Sequence, residues 1–251
     1  MVILKEMNYI VFRNRGRTAL SVCIAALLVC CMSFYLGSIQ TAESAEENLA
    51  QVIPVTAQVV SRSGARTVGF EIDENHFANL MKADIKDAVY TASACANFQE
   101  QYRAEDVQGA DTSVTAVSGL SALVGVTEES IAFENGYDLS FLENAEPLCV
   151  VSQSYAAQYG LNSGDTLSMP FYVTRYNDDG FSLRYEHLGM QGVKIIGVYA
   201  DSASGSAVPC SMIVSVPWLQ TVVKENNLRF YYSSFRCALR DPMKLNDFKD
   251  A

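Results

Sequence analysis

Ala19-Leu20-Ser21-Val22-Cys23-Ile24-Ala25-Ala26-Leu27-Leu28-Val29-Cys30-Cys31-Met32-Ser33-Phe34-Tyr35-Leu36-Gly37-Ser38-Ile39 is a run of 21 residues without a charge. An α-helix rises about 1.5 Å per residue, so the run matches a hydrocarbon core of about 30 Å and predicts one membrane-spanning helix. Residues 1–39 carry Lys5, Arg13, Arg15 and Arg17 against Glu6, a net charge of +3, while the remainder carries −13. Basic residues flanking a span stay on the cytoplasmic side, which places the N-terminus inside and residues 40–251 outside. An acidic ectodomain is repelled by nucleic acid and by anionic membrane surfaces, so neither is expected as its partner. A cleaved signal peptide is the competing reading, with Ala42-Glu43-Ser44 as a small-residue cleavage site. The apolar run exceeds the roughly 7–15 residues of a signal core, and 18 residues precede it, which favours an uncleaved anchor.

On the N-terminal side, Ile3, Leu4, Met7, Ile10 and Val11 recur at helical spacing around Lys5, Glu6 and Asn8. This pattern suits a cytoplasmic amphipathic segment over 1–18 lying in the membrane interface. Lys5, Arg13, Arg15 and Arg17 then have two readings: a docking surface for a cytoplasmic partner, or a collar that only fixes the orientation of the span. On the other side, Ala42, Ala45, Leu49 and Ala50 continue a weak helical pattern through a polar stalk, 40–51, which Pro54 stops.

Beyond the stalk the pattern alternates between strands and short helices, an α+β class. Val55 to Val60 reads as a strand, and Asp73 as the N-cap of a helix with Phe77, Leu80 and Met81 on its apolar stripe. Ala88 to Ala96 reads as a second strand, and Ser113 to Val126 is rich in Val, Leu and small residues. Cys149 to Val151 is a short strand, Ser152 caps a helix packed by Tyr155, Ala156 and Tyr159, and Gly160 ends it. The turn Asn162 to Asp165 leads into a strand from Thr166 to Tyr172. Phe171 to Tyr176 and Phe181 to Tyr185 form a hairpin about Asn177-Asp178-Asp179-Gly180. Val193 to Tyr199 is a further strand, and Asp201 to Ala207 a Ser/Gly/Ala loop. Pro217 starts a helix with Trp218, Val222 and Val223 on its apolar side, and Phe230 to Leu239 is one more strand. Asp241 and Pro242 open a last helix, with Leu245 and Phe248 three apart, and the sequence stops at Ala251, only about nine residues into it. A truncated chain is the expectation.

The seven cysteines define no disulfide scaffold. Cys23, Cys30 and Cys31 fall in the span as small apolar fillers. Cys95, Cys149, Cys210 and Cys237 permit up to two bridges in three pairings. Their spacings of 54, 61 and 27 residues contain no CxxC zinc signature, and a domain of this size needs no staple, so unpaired buried thiols are expected. Nor is there a G-x-x-x-x-G-K-[ST] phosphate loop, an HExxH pair or a G-x-S-x-G elbow. His76 and His187 read as solvated residues on polar faces. Glu71, Asp73 and Glu74 lack the glycine and closing glutamate of a calcium loop. The chain reads as a transmitter or binder, not an enzyme, with no cofactor.

Four separated stretches resemble one family, the MacB-like/FtsX-like permeases of ABC transporters. Arg13-Asn14-Arg15-Gly16-Arg17-Thr18-Ala19-Leu20 is similar to the basic approach to their first transmembrane helix. Val150-Val151-Ser152-Gln153-Ser154-Tyr155-Ala156, Gly160-Leu161-Asn162-Ser163-Gly164-Asp165-Thr166-Leu167 and Val193-Lys194-Ile195-Ile196-Gly197-Val198 are similar to successive segments of their extracytoplasmic domain. The resemblance implies a permease with a first helix, a large ectodomain and three further helices absent from this chain. It also implies dimerisation with a second permease subunit, pairing with a cytoplasmic ATPase, and a two-lobed ectodomain used in efflux or mechanotransmission. A split α/β lobe then maps to 52–118 and 227–251, and an inserted strand-rich lobe to 119–226. Lys5, Arg13, Arg15 and Arg17 would be the part nearest the ATPase. A single-pass, ligand-binding sensor is the alternative from another class; it would signal through a partner, since 18 residues are too few for an output domain of its own.

Overall fold

A computed structural model describes residues 15–52, 55–98, 110–177, 182–201 and 210–240. Its first helix, α1 (Arg15–Val52), is 38 residues long and carries the apolar run and the stalk as one continuous element. Within it Ala19–Ala45 is long and apolar enough to cross a membrane. Leu20, Leu27, Val29, Phe34 and Leu36 all stand exposed, an arrangement suited to lipid and costly in water. Three hydroxyls in this stretch are satisfied within the helix: Ser21 donates to the carbonyl of Arg17, Ser38 to that of Tyr35 and Thr41 to that of Gly37. The helix ends two residues before Pro54, whose ring disfavours helical geometry in the residue ahead of it.

The second unit begins at Val55. Its elements are β1 (Thr56–Gln58), β2 (Ile72–Asp73), α2 (Glu74–Lys82), β3 (Ile85–Ala96), β4 (Thr112–Val117), β5 (Ile131–Phe133), β6 (Leu148–Ser152), α3 (Gln153–Tyr159), β7 (Thr166–Tyr176), β8 (Leu183–Tyr199), β9 (Met212–Ser215), α4 (Val216–Glu225), β10 (Tyr231–Tyr232) and β11 (Ser234–Leu239). Three short 3-10 turns lie between β4 and β6. The chain is thus α+β, one long apolar helix followed by a sheet-rich domain. Nine strands form one mixed sheet in the order β1-β11-β3-β4-β9-β6-β8-β5, with β7 paired to β3 and β8, and β10 pairs separately with β2. The segments 52–118 and 227–251 supply β1, β11, β3 and β4 as consecutive neighbours. β4 then pairs in parallel with β9 of the intervening segment, so the sheet runs unbroken from one to the other.

Three junctions share one local logic: a strand ends on a residue whose side chain caps the helix that follows. Asp73 accepts from the amide of His76 at 2.7 Å, Ser152 from that of Tyr155 at 3.2 Å and Ser215 from that of Trp218 at 3.2 Å. Each cap satisfies an amide that has no partner inside its helix. Gly160 closes α3 at φ 67°, ψ 34°, left-handed geometry that glycine adopts without a Cβ penalty. Trp218, Leu219, Val222 and Val223 on α4 are buried, each worth about 1.5–3 kcal/mol of transfer from water, and the Trp218 ring meets Phe171 edge-on at 5.5 Å.

Several expectations need correction. The strand from Thr166 to Tyr172 and the hairpin strand from Phe171 to Tyr176 are one element, β7, of 11 residues. The partner hairpin strand and the strand at Val193 to Tyr199 are likewise one element, β8, of 17 residues. Gly189 does not break β8 because a bulge absorbs the irregularity, Pro170 facing Met190 but Tyr172 facing His187, and Gly192 stays in register opposite Ser168. The stretch from Phe230 to Leu239 divides at Ser233 into β10 and β11, which belong to different sheets. The strand near Val55 is only three residues long, and the stretch from Ser113 to Val126 holds the strand β4 only as far as Val117. The helix expected from Asp241, the amphipathic segment before Asn14, most of the 177–180 turn and the loop after Asp201 lie outside the described residues.

Candidate functional site

Of the four basic residues singled out, Lys5 and Arg13 lie outside the described residues. Arg15 opens α1, and Arg17 sits exposed in its first turn. Positions two apart on an α-helix are set about 200° around its axis, so Arg15 and Arg17 do not share a face.

The three ectodomain stretches come together. The first is the end of β6, its Ser152 cap and α3; the second runs from the Gly160 cap through a turn into β7; the third is the centre of β8. β8 pairs in parallel with β6 and antiparallel with β7, so the three stretches form one β6–α3–β7–β8 unit. Backbone bonds lock it: Gly164 donates to Ile195 and Ile195 to Asp165, both at 2.8 Å, and Leu161 donates to Ala156 at 2.9 Å. Asp165 also accepts the Asn162 amide at 2.7 Å, fixing the turn.

The glycines in these stretches have steric reasons. A Cβ on Gly197 would stand 3.2 Å from the Ala132 carbonyl oxygen, from Ile131 and from Phe133, because β5 lies directly against it. Gly164 has φ 97°, a backbone state that favours glycine, with the Glu134 carboxylate beside it. Glu134 in turn pairs with Lys194 at 3.0 Å, and Lys194 lies 4.8 Å over the Tyr137 ring. The Glu134 carboxylate holds the Lys194 ammonium above its usual range, with the Tyr137 hydroxyl adding to the effect. These glycines and the Glu134–Lys194 pair thus have packing roles in the junction of β5, β7 and β8.

The remaining candidates are engaged separately. His76 is exposed, with Nδ1 2.8 Å from the carboxylate of Asp73. His187 is exposed too, but in mid-strand at the β8 bulge and not at a strand end; its Nδ1 accepts the Gly189 amide at 3.3 Å. Glu71 accepts the amide of Tyr176 at 2.8 Å, while Glu74 pairs with Lys224 at 2.7 Å. No group of three or more His, Cys, Asp or Glu able to hold a metal occurs among the described residues. Cys149, Cys210 and Cys237 are buried, and Cys95 half-buried. Burial pushes all four thiols up, away from the thiolate that nucleophilic chemistry needs.

Sequence reasoning passed over Arg175 and Glu186. Arg175 is 7 % exposed yet charged. The signal was its phase: in β7 it follows Met169, Phe171 and Val173 at alternate positions, all three buried, so alternation puts a guanidinium on the inward face.

No family model matches the chain, and no curated protein matches it. Among solved structures, the periplasmic region of MacB from Actinobacillus actinomycetemcomitans is similar at 10% identity over 78% of each chain, with a TM-score of 0.40. A domain of a putative permease protein from Porphyromonas gingivalis is similar at 15% identity over 74% of each chain, with a TM-score of 0.34.

Proposed function

We propose that this chain is a permease-type subunit of an ABC transporter. In this reading a separate cytoplasmic ATPase acts on the N-terminal side of α1, and the acidic domain moves in response on the outer side, for export or mechanotransmission. The observation that carries the reading is the joint placement of the family-like stretches. The basic one precedes the span, and the three others, scattered over residues 150–198, build a single β6–α3–β7–β8 unit. Random matches of short motifs have no reason to converge in space. The continuity of α1 from Arg15 to Val52 adds a mechanical argument, since a helix without a break transmits displacement along its axis. The reading assigns no catalysis to this chain: ATP chemistry belongs to the partner, and the domain binds or passes on.

The test is recovery of a partner from detergent-solubilised membranes with the gene's full product as bait. An ABC-type ATPase should co-purify, and Arg13→Gln, Arg15→Gln and Arg17→Gln together should lower its yield while the orientation of the span, checked in parallel, is kept. Recovery of no ATPase would turn the assignment toward a single-pass ligand-binding protein. An unchanged yield in the triple variant would reduce the arginines to a topological collar.

A further inference from the structure

The β7–β8 hairpin has two parts with different support. Near its base, β7 pairs with β3 through Phe171 and Tyr172, and β8 pairs with β6 from Lys194 onward. Beyond the bulge, residues 173–176 and 183–186 pair with each other, and among the described residues no third strand joins their ladder. Gly189, at φ 74°, marks the change, and a glycine bulge is where a strand bends most easily. The outer part is therefore an arm, joined to the sheet by two strands and a flexible point.

At its root Val173 is buried in the core; beyond it, what fastens the arm is polar. The Arg175 guanidinium donates to the carbonyl of Arg229 at 2.9 Å and to that of Thr174 at 3.3 Å, and its Nε lies 3.4 Å from Glu186. Its plane sits 4.6 Å over the Tyr231 ring. On the neighbouring side Glu71 accepts the Tyr176 amide at 2.8 Å. Arg66 donates to the Tyr176 hydroxyl at 3.0 Å and lies over the Phe70 ring. Partners 54, 105 and 110 residues away in sequence are thus gathered on one hairpin end.

We propose that the outer β7–β8 hairpin is a releasable arm, hinged at the Gly189 bulge and latched by Arg175 to Glu186, Arg229 and Tyr231. A charge held out of water is stable only while its partners stay in place, and opening returns it to water, which offsets much of the lost pairing. An apolar joint has no such return, so the arm parts here before the sheet does. Burial draws the Arg175 pKa down from its ordinary value, the direction expected for a charge under desolvation strain. The inference concerns the domain alone and stands whether or not an ATPase is the partner.

Hydrogen exchange of the full chain in lipid nanodiscs tests it. Glu186→Gln removes the nearest counter-charge. Arg175→Lys keeps the charge on an ammonium that cannot reach the carboxylate and the carbonyl while stacking on the ring. Each variant should speed exchange about tenfold or more at residues 173–176, 183–187 and 231–232, leaving β4, β6 and β9 unchanged. Unchanged exchange in the arm, or a uniform rise across the sheet, would overturn the proposal. If one variant fails to fold, the other decides on the same criterion.

Discussion

Gly197 shows how a weak sequence motif acquires a physical meaning. In the stretch Val193 to Val198 it stands among larger apolar residues, and nothing in its own strand requires the absence of a side chain. The requirement comes from outside: β5 crosses so close that a methyl group would press at 3.2 Å on a backbone carbonyl and two side chains at once. A carbonyl in a paired strand cannot retreat by rotating. Gly197→Ala should therefore destabilise the domain by about 1–3 kcal/mol, the usual cost of overpacking a filled site. Chemical denaturation followed by tryptophan fluorescence measures this through Trp218, the single tryptophan. A loss below about 0.5 kcal/mol would mean that β5 yields and that the glycine is incidental. The same logic, applied to charge, explains Arg175: its position is dictated by strand phase, and its tolerance by the partners gathered around it.

At the scale of elements, the contact between α2 and α4 is electrostatic. Glu74, first residue of α2, meets Lys224 at 2.7 Å and Gln220 at 2.5 Å, both on α4. Lys224 foremost, with Gln220, holds the Glu74 carboxyl below its ordinary 4.5. A carboxyl whose folded pKa lies below its unfolded one binds protons more readily when unfolded. Its stabilising contribution is thus complete above the unfolded value and is lost as pH falls through the folded one. The melting temperature of wild type should exceed that of Glu74→Gln at pH 7, and the two should converge as pH falls below 4.5. A gap that persists in acid would assign the effect to packing. Elements of this kind were readable in the sequence wherever their cause is local: Asp73 and Ser152 as caps, Gly160 as a helix stop, Pro217 in a first turn. What escaped reading has a non-local cause. β8 passes through Gly189 and Gly192 because β7 lies beside it to hold the bulge, and Ser233 divides β10 from β11 because each side finds a different partner. The Arg175 latch was half legible, since alternation gives its phase, but its partners Arg229 and Tyr231 meet it only through the fold.

For the whole molecule the governing quantity is the distribution of charge about one span. A net +3 lies on residues 1–39 and a net −13 beyond them. Basic residues within about 15–20 positions of a span end set its orientation, so the domain from Val55 onward is expected on the outer side. Val124, at 87 % exposure, offers a reporter position on that domain. Val124→Cys should react with a membrane-impermeant maleimide in intact cells, above the background set by the native thiols, three of which are buried in the domain. Changing Arg13, Arg15 and Arg17 to Glu turns the net charge of residues 1–39 from +3 to −3. That reversal should cut labelling by about half or more as chains insert the other way. Labelling of the Val124→Cys protein only after permeabilisation would place the domain inside and remove the premise of an outward-facing permease domain. Undiminished labelling in the arginine variant would shift the burden of orientation to the folding of the large domain itself. The arginines would then be free for another task, and docking of a cytoplasmic partner becomes the reading to pursue.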